Sequence, residues 1–171
     1  MPLSTSSCHP IVDAREIAST RLVELFDYWR AKSQTRLAPA RQDIDPRDIP
    51  RLLPWIWLID VVDGGADFRF RLGGQKLIEF LGRRVCDNLI SSQMQTPFFA
   101  TVAESLALCV REKKPLLRER ARTTYELRNY LETETLLLPL SDNGASVSQI
   151  LGGFEMTSPI APHPDDVPVI G

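Results

Sequence analysis

Three segments near the C-terminal end, Leu116 to Tyr125, Tyr130 to Leu140 and Val147 to Met156, carry the period-two pattern of strands. The turns between them, Glu126-Leu127-Arg128-Asn129 and Ser141-Asp142-Asn143-Gly144, are too short for anything but hairpins. A chain with this feature must build an antiparallel sheet, and the sheet must find a layer to cover its apolar face.

The rest of the chain supplies a second hairpin and the cover. Trp55 to Val62 is a β-rich run, Phe68 to Leu72 alternates strictly, and Asp63-Gly64-Gly65-Ala66-Asp67 forms the turn. Phe99, Ala103, Leu106 and Val110 recur at four-three-four spacing, so a helix opens at Thr96-Pro97 and stops at Lys113-Lys114-Pro115. Lys76 to Leu81 reads as a short helix ending at Gly82. Asp45-Pro46-Arg47-Asp48 opens another that runs to Leu53 and is stopped by Pro54, with Asp45 as its cap.

Ala18, Leu22, Leu25 and Trp29, with Phe26 beside them, mark an amphipathic helix over residues 14–32. Its apolar face has two open uses: packing on the outer sheet face, or pairing with its copy in a dimer. The expected organisation is a flexible tail at 1–13, one domain at 14–158, and a proline-rich tail at 159–171. The order of elements predicts an α+β fold.

A chain of 171 residues, 43% of them hydrophobic, has the length for one sizeable core. A net charge of −2 and a pI near 5.7, without a dense Lys/Arg run, argue against direct nucleic-acid binding. The start of the chain lacks a basic region followed by an apolar stretch, and no segment has the apolar length of a membrane span, so a cytoplasmic location is expected. Cys8, Cys86 and Cys109 are odd in number and lack metal spacing, which predicts free thiols and no metal site. Both histidines, His9 and His163, fall in the expected tails. The commonest general base is thereby missing from the interior, and no nucleophile–base pair or phosphate loop replaces it, so no enzyme is expected.

Several segments taken together resemble a bacterial single-domain PAS family common in alphaproteobacteria: Tyr28-Trp29-Arg30, Asp43-Ile44-Asp45-Pro46, Ile49-Pro50-Arg51-Leu52-Leu53-Pro54, Phe68 to Gly74, Leu81-Gly82-Arg83 and Leu136 to Asp142. The resemblance covers roughly residues 25 to 155. It implies a five-stranded antiparallel sheet whose one face, with helices, encloses a pocket. It further implies a sensory or regulatory role, often as a homodimer, with output through a separate signalling protein. No cofactor is expected. Haem-binding members use an interior histidine, absent here, and flavin photosensors use an Asn-Cys-Arg motif that Gly82 to Asn88 matches only in Cys86.

Strand pairing suggests which side chains would face a ligand. A turn centred near Gly65 pairs Leu58, Asp60 and Val62 with Leu72, Phe70 and Phe68. The other turns add Thr123, Tyr125, Tyr130, Glu134, Leu138, Ile150 and Phe154 to that face, with Phe80 and Leu106 from the helices. Arg118, Arg120 and Arg122, with Trp57 and Ile59, would then point away. A one-residue shift in any turn reverses a strand's faces, and Leu136-Leu137-Leu138 reads as buried on both sides or bulged. Glu134 is open between pocket and sheet edge, and Asp60 between pocket and a satisfied strand end. The pocket itself is open between a small-molecule ligand and an interior filled by its own phenylalanines, which would leave an interaction or dimerisation module.

Overall fold

The computed structural model describes residues 8–93, 96–123, 125 and 131–157. Its strands are β1 (Cys8–Pro10), β2 (Ile56–Val62), β3 (Asp67–Gly73), β4 (Leu116–Arg122), β5 (Glu132–Leu140) and β6 (Gln149–Thr157). Its α-helices are α1 (Thr20–Ser33), α2 (Gln75–Leu81) and α3 (Pro97–Glu112). One antiparallel sheet runs in the order β1-β4-β5-β6-β2-β3. The expected α+β class and PAS-like architecture hold, with one strand more than expected. The addition is β1, which lies where a tail is expected and pairs with Leu116 to Arg118 along the free edge of β4.

Local chemistry sets the helix ends. Thr96 caps α3 by accepting from the Phe99 amide at 3.4 Å, and α3 ends where Lys113 takes a left-handed conformation (φ 55°). Gly82 ends α2 with φ 72°. The expected helix over 14–32 is shorter. A 3-10 turn at Ala14–Glu16 is separated from α1 by extended backbone, and Ser19 caps α1 by accepting from the Leu22 amide at 3.3 Å. Asp45 caps as expected, accepting from the Arg47 amide at 2.9 Å, but the helix it opens is only a 3-10 turn at Pro46–Asp48. Pro54 sits inside a second such turn at Leu53–Trp55.

Both faces of the sheet are covered. Leu22, Leu25, Phe26 and Trp29 of α1 are buried with Leu58, Leu117, Leu136, Leu138, Leu140 and Leu151 of the sheet. Of its two open uses, the α1 face therefore takes the outer sheet. The Trp29 Nε1–H donates to the Pro139 carbonyl at 2.8 Å. Pro139 lies beyond the last β4 partner of β5, so its missing N–H interrupts no ladder. The second layer, α2 and α3, packs on Trp57, Ile59, Phe68, Phe70, Leu116, Leu137, Ile150 and Phe154. Leu136-Leu137-Leu138 is accordingly buried on both sides, as its run of apolar residues implied.

Next to its turn, each hairpin is displaced by one residue from the expected pairing. Asp63 and Ala66 close a 3-10 turn, so the loop ends before Asp67 and Ile59 pairs with Phe70. A bulge at Arg71 restores Leu58 to Leu72, which puts Phe70 and Leu72 on opposite faces. In the last hairpin Leu138 pairs with Leu151 and Thr135 with Phe154. On β4 a bulge between Arg118 and Ala121 places both residues on the face of their partners Thr135 and Thr133. The reversed faces follow directly, because strand side chains alternate strictly.

Candidate functional site

A cavity of about 90 Å³ lies between the sheet and helices α2 and α3. Trp57, Ile59, Phe70, Leu137 and Phe154 form its sheet wall, Leu77, Phe80 and Leu81 come from α2, and Phe98, Phe99, Val102, Ser105 and Leu106 come from α3. Aromatic rings make much of this surface. Phe70 meets Phe99 edge-on with centroids 6.4 Å apart, and Phe80 lies 6.2 Å from Phe154. Gly152 clears the space for the Trp57 indole, since a Cβ there would fall 1.9 Å from two of its ring atoms.

The polar part of the wall is Arg118, Thr133, Thr135 and Ser105. The Arg118 Nη2 donates to the Thr101 carbonyl at 3.1 Å and to the Ser105 hydroxyl, and that hydroxyl donates in turn to the Thr101 carbonyl at 3.1 Å. Burial pushes the Arg118 pKa down from its ordinary value. Cys8, the cross-strand partner of Arg118, has its thiol pushed up by burial, with Ser105 and Arg118 offsetting part of that effect. Cys109, on the buried face of α3, also has its thiol pushed up by burial. Among the described residues, no group of three or more His, Cys, Asp and Glu side chains could hold a metal ion.

Of the candidates expected from sequence, Phe70, Phe80, Leu106 and Phe154 line the cavity. Ile150 belongs to the same apolar cluster without lining it. Tyr125 stands behind the wall, its ring 5.3 Å from Phe80 and its hydroxyl donating to the Leu81 carbonyl at 2.7 Å. Thr123 is buried at the end of β4, where its amide donates to the Leu131 carbonyl at 2.9 Å. Tyr130 lies outside the described residues.

Four candidates belong to the other face. Leu138 packs in the α1 layer, and Leu72 is 43% exposed beyond the bulge. Asp60 accepts from Gln149 at 2.6 Å and pairs with Arg71 at 3.0 Å, so it is a satisfied strand-end acid. Glu134, only 3% exposed, accepts from the Ala18 and Ser19 amides at 3.0 and 2.8 Å and so holds the entry to α1. Sequence reasoning missed Trp57, Ile59, Leu77, Leu81, Val102, Ser105, Arg118, Thr133, Thr135 and Leu137. The adjacent Leu116-Leu117 pair signals a strand covered on both faces, but nothing local announces the bulge that turns Arg118 inward.

Such a chain is an α+β domain that packs two helices over one sheet with a small cavity between them. Residues 17–155 match the family described as the PAS domain, and the chain belongs to that family. Comparison with curated proteins and with solved structures finds no match. PAS domains are generally non-catalytic sensory or regulatory modules. No described helix is long and apolar enough to cross a membrane.

Proposed function

We propose that this PAS domain is a non-catalytic sensor that takes a small molecule into the cavity between sheet and helices and reports its presence to a separate protein in the cytoplasm. The observation that carries this reading is the cavity wall: apolar and aromatic over most of its surface, with one arginine and three hydroxyl side chains grouped on one part of it. That mixture is the usual chemistry of a ligand pocket, where apolar area supplies affinity and a few polar groups fix orientation. The cavity is bounded by both α2 and α3, so occupancy acts on the helical layer that covers the sheet. The free thiols Cys8, Cys86 and Cys109 fit a reducing compartment.

Thermal-shift and native mass-spectrometry screening of the full chain against small metabolites tests this directly. At least one compound is expected to raise the melting temperature and add its mass at one equivalent. The variant Leu106→Phe, which fills the cavity, should abolish both effects while keeping the native circular dichroism spectrum. If no compound produces either effect, the sensor reading fails. The second reading, an interaction or homodimerisation module with a filled interior, then stands. What favours it is size: about 90 Å³ is small beside the roughly 300 Å³ lower bound of ordinary ligand pockets.

A further inference from the structure

Arg118 is the one charged side chain among the described residues that line the cavity. A guanidinium offers five N–H donors in a flat fork suited to a carboxylate. Its Nη2 reaches Thr101 and Ser105, both neutral. The Ser105 hydroxyl is already committed, accepting from Arg118 and donating to Thr101. Among the described residues Arg118 forms no ion pair, although the Glu104 charge acts on it from nearby, and burial pushes the Cys8 thiol beside it up. A half-buried guanidinium without a direct ion-pair partner carries part of its desolvation cost, and an anion bound beside it offsets part of that cost.

The rest of the wall decides what kind of anion fits. Phe70, Phe99, Leu106 and Leu137 offer nothing to a second charge, which excludes dicarboxylates and phosphate esters with polar bodies. An engineered apolar cavity of about 150 Å³ accepts benzene, so about 90 Å³ takes a smaller body. Thr135, the direct cross-strand partner of Arg118, and Thr133 supply hydroxyl donors on the same part of the wall.

We propose that the cavity binds a short-chain aliphatic monocarboxylate, with its head on Arg118 and the neighbouring threonines and its alkyl tail among the phenylalanine and leucine side chains. This rests on the sensor reading of the same cavity and names its ligand class. The head forms charge-assisted hydrogen bonds that a neutral isostere lacks.

The test is calorimetric titration of the full chain with acetate, propionate and butyrate, set against butyramide, 1-butanol and succinate, with methyl NMR of Ile59, Leu106 and Leu137 as the reporter of place. One of the monocarboxylates is expected to bind and shift those methyl signals, and butyramide to bind at least about tenfold more weakly. Succinate should not bind. Arg118→Lys, which keeps the charge and loses the fork, should weaken the monocarboxylate by about tenfold. The wild-type series decides the matter even if that variant fails to fold. Equal binding of butyramide or butanol overturns the anion assignment while leaving the cavity a ligand site. Binding of another metabolite with no response to any monocarboxylate also overturns it and leaves the sensor reading intact. Silence across both this series and the broader screen overturns the two together.

Discussion

Gly152 and Gly153, neighbours in the central strand β6, face opposite layers and make room for different side chains. A Cβ on Gly152 would meet the Trp57 indole at 1.9 Å, whereas one on Gly153 would meet the terminal methyl carbons of Leu25 and Leu22 at 2.6 and 3.0 Å. An indole pinned between sheet and helix cannot step aside, while leucine ends can rotate. Gly152→Ala is therefore expected to cost about 3 kcal/mol and Gly153→Ala clearly less, as read from urea denaturation. Equal, small losses in the two variants would show that Trp57 is not held as described. At this scale only part of the cavity was legible: Phe70, Phe80, Leu106 and Phe154 declare themselves by size and by position in periodic segments. Arg118 did not, because a charged residue in an arginine-rich strand reads as solvent-facing until the bulge beside it is known.

The elements show why acids near a sheet are poor guides to a pocket. Glu134 joins the sheet to the start of α1 by accepting the amides of the cap residue Ser19 and of Ala18 before it. Glu134→Ala is expected to lose about 2 kcal/mol of stability, with Glu134→Gln between it and the parent because one acceptor oxygen remains. Chemical denaturation checks this, and an unchanged midpoint for the alanine variant would remove Glu134 from the anchoring role. Element identity and order were legible from period, caps and turn residues. Registers were not, since the loop at Asp63–Ala66 and the bulges in β3 and β4 each change the count by one residue. A shift of one exchanges the faces, which is why Leu138 and Glu134 left the expected pocket and Trp57 and Ile59 entered it.

In the whole molecule, the stretch before the family match contributes structure. Residues 17–155 carry the family pattern, yet β1 at Cys8–Pro10 covers the open edge of β4, the Ile11 amide donates to the Pro115 carbonyl at 3.0 Å, and Ile11 is buried. A chain begun at Ile17 would expose β4 as an unpaired edge beside Arg118. It is expected to melt at a lower temperature and to self-associate in sedimentation velocity runs. An unchanged melting temperature with a monomeric profile would show β1 to be dispensable. The sequence by itself determined the α+β class, the run of hairpins, the position of α3 and the amphipathic face of α1, because period, capping and turn chemistry are local properties of the chain. Only the tertiary structure decided which sheet face meets the cavity, that β1 joins the edge, and that Arg118 turns inward. Those outcomes depend on one-residue offsets that cost little locally and are selected only when two helical layers close on the sheet together.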